Sequence, residues 1–354
     1  MEDLEYQDSE PPCRCGGLFV IFRKEIADHI HSRPFLLVLA LIGLTSIASI
    51  YGAVSGLGQE AGAGERGMNA LFLRLFTSDS GSVPSFMSLM ALFGPFVGLV
   101  LGFDAINREE AEGTLTRLEA QLVYRASIIN GKFLAGAALI GILVFSMGLF
   151  TGATGLFITG ISPTGEELGK ISVFLLFTCI YICFWLALSI LLSVICRHTA
   201  TSAMLGIGCW IFFVLFMSMI VRVLVDILYP QDQMVTVGDL MDRSSLNLGL
   251  NRLSPYYLYS EAVSTIMNPS AWSTNIILPF QMEGAAAGFL FLGESLLLVW
   301  PHLMGLLAGG TVVFAVSYVW FMKREIHGRQ NRKEMGAASF SRFERRNVDK
   351  DSVV

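Results

Sequence analysis

The chain has 354 residues, of which 53% are hydrophobic and only 15% are charged. Average soluble domains carry about 25% charged residues, so this composition excludes an ordinary soluble domain and a disordered chain, and it predicts a membrane protein. The formal net charge of −5 leaves no general basic surface, so we expect no nucleic-acid partner.

Residues 1–33 are predicted to form a cytoplasmic segment that contains one amphipathic helix. Its first ten residues are acidic rather than basic, which is not typical of a cleaved signal peptide. Pro34 would break the helix before the chain enters the membrane, so the helix is predicted to lie at the membrane interface. Its apolar residues recur at helical spacing, at Leu18, Ile21, Phe22, Ile26 and Ile30, with Arg23, Lys24, Asp28 and His31 on the other side.

Six apolar stretches are long enough to cross a bilayer, which takes about 20 residues per helix. They predict an all-α polytopic membrane protein, with residues 34–322 as the six-span domain and residues 323–354 as a polar cytoplasmic tail. In chain order the spans are Pro34 to Val54, Ser85 to Phe103, Phe133 to Thr159, Ile171 to Ile195, Thr201 to Leu228 and Leu296 to Phe321.

The distribution of basic residues predicts the orientation. If the N-terminus is inside, 18 of the 24 Lys and Arg residues fall on the inner side and 5 on the outer side, with Arg222 inside the fifth span. Loops rich in Lys and Arg stay in the cytoplasm, so both termini are predicted to be cytoplasmic. The loop of residues 104–132 is then cytoplasmic, and loops 55–84 and 229–295 are external.

Glycines at four-residue spacing in the second span predict close packing between helices, because small residues let two backbones approach. The series is Gly94, Gly98 and Gly102.

The spans carry almost no ionisable side chains, which argues against a channel or a proton-driven transporter. Arg222 and Asp226 are four residues apart in the fifth span and are predicted to form a local ion pair. Phosphate-loop motifs are absent, since Gly131-Lys132 is followed by Phe133 and Gly169-Lys170 by Ile171. We therefore expect no enzymatic activity and no cofactor in this chain.

The external loop 229–295 contains an apolar stretch, Gly284 to Gly293, which is too short to span and predicts a re-entrant or interfacial helix. Aromatic residues of this loop are typical of anchors at the membrane interface. They are Tyr256, Tyr257, Tyr259 and Trp272. Cys13 and Cys15 form one Cys-x-Cys pair, a weak signal for a metal site, and the six cysteines do not predict a disulfide framework.

The cytoplasmic loop 104–132 combines an acidic run with a helix break. Glu109, Glu110 and Glu112 are compatible with a solvated helix face. Gly113-Thr114 interrupts the helical pattern, and Thr114 can cap a second short helix. Its apolar side would consist of Leu115, Leu118 and Leu122. A helix placed between two spans in this way could move both of them when it is pushed.

These motifs resemble those of ABC-2 type transporter permeases. The step Glu112-Gly113-Thr114-Leu115, with Arg108-Glu109-Glu110 before it and Gly131-Lys132-Phe133 after it, is similar to the first cytoplasmic loop of that family. The Arg23-Lys24-Glu25 helix is similar to the connecting helix that precedes its first span. The resemblance covers most of the chain, and it departs from small exporter permeases in the long loop 229–295 and in the polar tail.

The resemblance implies a permease subunit of an ATP-driven exporter in a prokaryotic cell membrane. A separate ABC ATPase would bind ATP and Mg, and a second permease copy or paralogue would complete the pathway within the membrane lipid. The implied ATPase-coupling residues are Glu25, Glu109, Glu110, Glu112, Gly113, Thr114, Leu115 and Leu118. Two alternatives remain: a non-transporting scaffold or assembly factor, and an ABC membrane subunit that transmits force to an external partner.

Overall fold

The computed structural model describes residues 14–30, 32–60, 71–77, 84–114, 124–160, 162–230, 237–267 and 292–323. Within these ranges the regular structure is entirely helical, and no strand occurs. Among the described cysteines, four are free thiols, namely Cys179, Cys183, Cys196 and Cys209. Cys13 and Cys15 have no described side chain.

The described chain folds into twelve helices, two of which are joined by one π-helical turn. They are α1 (Arg14–Ile30), α2 (Arg33–Glu60), α3 (Leu71–Thr77), α4 (Phe86–Gly102), α5 (Asn107–Glu112), α6 (Arg125–Thr159), α7 (Gly165–Ile195), α8 (Thr199–Ile211), the π turn (Phe212–Phe216), α9 (Met217–Leu228), α10 (Val237–Asn251), α11 (Pro255–Met267) and α12 (Leu292–Lys323).

Six of these helical segments are long and apolar enough to cross a membrane, which confirms the six predicted spans and the all-α class. They are Pro34–Gly52, Phe86–Glu112, Arg125–Ile158, Gly165–Ile195, Thr199–Leu228 and Leu292–Lys323. We number them spans one to six. The fifth span consists of α8, the π turn and α9, and the second runs from α4 through a short turn into α5.

Span four, helix α7, is the centre of the bundle and packs against α4, α6, α11 and α12. A capping box starts it: the Glu167 amide donates to the Thr164 hydroxyl at 3.3 Å, and the Thr164 amide donates to the Glu167 carboxylate at 2.8 Å. Its inward side chains are large and fully buried, so they form the core around which the other spans are placed. They include Phe174, Tyr181, Trp185 and Ile190.

The glycine series of span two faces span four. A Cβ atom at Gly98 would lie 2.6 Å from the backbone carbonyl oxygen of Ile182, and one at Gly102 would lie 2.8 Å from Cβ of Ser189. At Gly94 the nearest atom, in the Ile182 side chain, would be 3.2 Å away. The Ser189 hydroxyl donates to the Leu99 carbonyl at 2.8 Å across the same contact. The two backbones are therefore too close for side chains larger than hydrogen at Gly98 and Gly102.

The region predicted as the external loop 229–295 contains two helices that the sequence analysis did not predict, α10 and α11. These two helices form a hairpin that turns at residues 252–254, and we call it the α10–α11 hairpin. At the turn, the Ser254 hydroxyl donates to the Phe213 carbonyl at 3.1 Å. Phe213 lies in the π turn at the middle of span five, so the hairpin enters the bundle to half the length of that span. The predicted helix from Gly284 lies almost entirely outside the described residues.

Tyr259 is a core residue and not an interface anchor, which corrects the sequence prediction. Its side chain is fully buried, and its ring stacks on that of Tyr181 with centroids 4.3 Å apart. Its hydroxyl lies 2.8 Å from that of Thr178 in span four. The aromatic pattern misleads here because a buried tyrosine with a hydrogen-bond partner has the same sequence signature as an interfacial one.

The predicted ion pair between Arg222 and Asp226 does not form in the described structure. Asp226 pairs instead with Arg243 of α10, whose guanidinium also donates to the Tyr229 carbonyl at 3.3 Å. Arg222 is exposed and has no ion pair with any described residue. Helix α10 packs beside α9 and supplies Arg243 as the partner of Asp226. The spacing of charged residues within α9 could not predict this partner.

Candidate functional site: an ionic network beneath spans two and three

The site lies at the end of the bundle where α1 packs against the start of α6, which we call the α1 end. Ile21 of α1 is buried, and a Cβ atom at Gly131 of α6 would lie 2.8 Å from its Cγ2. Ile128 and Ile129 on the same stretch of α6 are fully buried. The missing side chain at Gly131 thus lets α1 lie directly on the first turns of span three.

Three buried charged residues from three separate segments meet there. The Lys132 ammonium of α6 lies 2.8 Å from the Glu25 carboxylate of α1 and 3.0 Å from the Glu109 carboxylate of α5. Lys24, which is half exposed, lies 3.1 Å from the same Glu109 oxygen and 3.7 Å from Glu25. We call these four residues the ionic network. It connects the helix before span one, the end of span two and the start of span three.

Burial makes the ionic network costly to break. The Lys132 side chain is 4% exposed, and those of Glu25 and Glu109 are 7% and 10% exposed. A buried ion pair gives little net stability against an apolar replacement, but removal of one partner leaves an uncompensated charge that costs about 3–5 kcal/mol. The arrangement is therefore suited to holding three segments in one fixed geometry.

Electrostatics around the network affect two titratable groups of α1. Partial burial of Lys24 disfavours its charged form, but the neighbouring Glu109 carboxylate outweighs this, so the pKa of the Lys24 ammonium lies above its ordinary value. Burial of His29 lowers the pKa of its imidazole, although Glu25 and Asp104 act in the opposite direction. At neutral pH, Lys24 is therefore charged, and the neutral form of the His29 imidazole is favoured.

A second tie joins the start of α5 to the end of span four. The backbone amides of Ile106 and Asn107 both donate to the Ser193 hydroxyl, at 3.0 and 3.3 Å. Helix α5 then ends at Gly113, whose φ of +74° is left-handed and whose amide donates to the Glu110 carbonyl at 3.3 Å. Glycine adopts this conformation without strain. The break predicted at this glycine is thus present in the structure.

The structure separates the predicted coupling residues into two groups. Glu25 and Glu109 are buried and bind lysines within the chain, so their carboxylates do not present negative charge to a partner. Glu112 is exposed and lies 3.6 Å from Arg108, and Glu110 is partly exposed. The Thr114 hydroxyl donates to the Glu109 carbonyl at 3.2 Å. Leu115 and Leu118 lie outside the described residues.

Sequence reasoning missed the roles of Lys132 and Ser193. A signal for Lys132 exists, because it is a lone lysine at the apolar start of a span, and Glu25 lies on the same face of α1 as Ile21. Buried carboxylates and amines are rare unless they are paired, so the two residues could have been matched. Ser193 offers no such signal, because hydroxyls in apolar helices usually bond their own backbone.

No group of three or more His, Cys, Asp or Glu side chains that could hold a metal ion occurs in the described part of the chain. What the described site does is link helices to one another, through charge pairs and backbone hydrogen bonds.

Six span-length helices, with α1 packed on the first turns of span three and the short helix α5 at the end of span two, define a polytopic membrane protein. The family model for ABC-2 family transporter proteins matches residues 19–326, so the chain belongs to this family. It is therefore an integral membrane protein and the membrane subunit of an ABC transporter. Such permease subunits work in general with an ATPase and are generally not enzymes themselves.

Two curated relatives are both described as a probable ABC transporter permease protein NosY. The protein from Pseudomonas aeruginosa is 32% identical over 205 residues, which cover 57% of this chain and 68% of the relative. The protein from Stutzerimonas stutzeri is 26% identical over 205 residues, which cover 58% of this chain and 69% of the relative.

Proposed function

We propose that this chain is the permease subunit of an ATP-driven exporter, and that a separate ABC ATPase docks at the α1 end. The observation that carries the proposal is the ionic network, which ties α1 and α5 to spans two and three. A push on either short helix would therefore act on two spans together. ATP and Mg would bind to the ATPase, and the α1 end would face the cytoplasm of a prokaryotic cell.

The docking surface in this proposal consists of the exposed residues around α5. Glu112 is exposed, and Glu110 is partly exposed beside it. Acidic side chains at the edge of an interface act mainly on orientation and on the rate of association. The buried residues Glu25 and Glu109 would instead position the helices that the ATPase pushes.

Pairing with a second permease, identical or related, is part of the proposal, because six spans enclose half of a pathway. Movement of the spans as rigid bodies would follow when two ATPases close around ATP. The first test is purification of the tagged chain in mild detergent, followed by mass spectrometry and an ATPase assay. A co-purifying ATPase that hydrolyses ATP supports the proposal, whereas its absence from an intact complex favours the scaffold alternative.

We expect Glu112→Lys to weaken ATPase docking without affecting the fold. The Glu112 side chain is 58% exposed, so the protein should insert and purify at the wild-type yield. Reversal of one interfacial charge should lower the affinity for the ATPase about tenfold, which corresponds to about 1.4 kcal/mol. Titration of the purified ATPase against the reconstituted permease measures this change.

The matched control for Glu112→Lys is Glu294→Lys, because Glu294 is also exposed but lies at the start of span six, at the opposite end of the bundle. It should bind the ATPase like the wild type. Equal loss of affinity in both variants would contradict docking at the α1 end, and loss of membrane insertion in Glu112→Lys alone would show that the loop is structural.

A further inference from the structure

Three polar side chains, two of them charged, meet where the α10–α11 hairpin contacts span six, far from the ionic network. The Arg252 guanidinium donates to both oxygens of the Glu261 carboxylate, at 3.0 and 2.8 Å. The same carboxylate lies 2.9 Å from Nε2 of His302 in α12. Arg252 joins the turn of the hairpin to Glu261 in α11, and His302 connects the hairpin to span six.

The environment of His302 makes this contact unusual. The histidine is 7% exposed, and its Nδ1 nitrogen has no hydrogen-bond partner among the described residues. Its Nε2 nitrogen lies 2.9 Å from the Glu261 carboxylate, which is the close polar contact of the imidazole ring in the described part of the chain. A buried polar ring with one charged neighbour and no other described partner is held in place mainly by that neighbour.

The position of the contact gives it mechanical importance. His302 is ten residues into α12, or about 15 Å along a helix that rises 1.5 Å per residue. Glu261 lies between the hairpin turn and the end of α11, and its neighbour Leu258 packs over Gly305 of span six. The contact therefore attaches α11, the second helix of the hairpin, to span six inside the bundle.

The hairpin is also attached to span five, by the hydrogen bond from Ser254 to the Phe213 carbonyl in the π turn, and to span four, where the Tyr259 hydroxyl lies 2.8 Å from that of Thr178. Single π-helical turns within α-helices occur frequently at functional sites. The hairpin is thus attached to span five at its turn, and to spans four and six along its second helix. These attachments cannot all keep their geometry when span six moves relative to spans four and five.

We propose that Glu261 and His302 form a latch that positions the α10–α11 hairpin on span six, so that movement of span six carries the hairpin with it. Arg252 holds the Glu261 carboxylate in place for the latch. The inference rests on the proposed function only in its second part, the transmission of ATP-driven movement. The first part, the attachment of the hairpin to span six, concerns the permease alone and does not depend on an ATPase.

The attachment is tested by the spread of distances between two spin labels. Labels at Ser245→Cys of α10 and Ser172→Cys of α7, both at exposed positions, would be introduced into a chain that lacks the six native cysteines. We expect one narrow distance distribution for the wild-type latch. Glu261→Gln or His302→Gln should each broaden it about twofold, since local motion grows when a restraining contact is lost.

The double variant Glu261→Gln/His302→Gln should be no broader than either single variant, because both changes remove the same contact. The matched control is Asp28→Asn, which removes an ion pair outside the hairpin, with Lys24, between two half-exposed side chains. Its distribution should stay narrow. If both single variants keep the narrow distribution, the latch does not exist.

Transmission is tested by the same labels in the complex with its ATPase, without nucleotide and after trapping with ATP and vanadate. The wild type should show two distances, and the Glu261→Gln variant should hydrolyse ATP while the label distance stays unchanged between the states. An unchanged wild-type distance would overturn transmission. Failure of any ATPase to bind would overturn the proposed function, and the measurement on the permease alone would still decide the attachment.

Discussion

Lys132→Ala is expected to release α1 from the bundle and to abolish ATPase coupling. The substitution leaves the carboxylates of Glu25 and Glu109 buried without the cation that lies within 3.0 Å of both. An uncompensated buried charge costs about 3–5 kcal/mol, which is a large part of the stability of one domain. Thermal unfolding in detergent should show the loss of stability, and ATPase co-purification should show the loss of coupling.

The control for Lys132→Ala is Lys24→Ala, which removes a lysine of the same network whose side chain is 44% exposed. Exposed ion pairs contribute up to about 1 kcal/mol, so this variant should be close to the wild type. The combined variant Lys132→Met/Glu25→Gln/Glu109→Gln should recover most of the stability, because it removes all three buried charges. Equal destabilisation by Lys132→Ala and Lys24→Ala would show that the network does not hold α1.

Gly98→Ala is the second substitution for which we expect a large effect. The added Cβ would lie 2.6 Å from the Ile182 carbonyl oxygen and 2.8 Å from the Leu186 amide nitrogen. Both contacts are with backbone atoms, so no rotation of a side chain can relieve them. Spans two and four must then move apart, at a cost at the upper end of the usual range of about 1–3 kcal/mol for overpacking. Thermal unfolding of the purified chain measures the loss.

The matched control is Gly141→Ala in the middle of α6, where an added Cβ would have no atom within 4 Å. Alanine is the better helix former by roughly 0.5–1 kcal/mol, so this variant should be slightly more stable than the wild type. The two substitutions are chemically identical and should have opposite signs. If Gly98→Ala is as stable as the control, spans two and four do not pack as closely as described.

The spans were predictable from the sequence because their signal is strong and local. About 20 apolar residues in a row indicate a span without knowledge of its neighbours. The break at Gly113 was predictable for the same reason, since glycine is a local signal for the end of a helix. The glycine series of span two also has a local pattern, although only the structure shows that span four is the helix opposite it.

The ionic network and the hairpin depend on contacts between distant parts of the chain. Glu25 and Lys132 are 107 residues apart, and no local pattern pairs them. Composition even pointed the wrong way for Glu109, because an acidic run usually belongs to a solvated surface. For the hairpin, α10 and α11 are too short and too polar to register as spans, and the burial of Tyr259 follows from Tyr181 and Thr178 in a different helix.

The hairpin also bears on how the sides of the membrane are assigned from a count of spans. A segment that enters the bundle, turns at residues 252–254 and returns toward the end it came from adds no net crossing. Counting its two helices as spans would give eight instead of six, and both numbers are even. The expectation that α1 and the end of span six lie on the same side of the membrane is therefore the same by either count of the described helices.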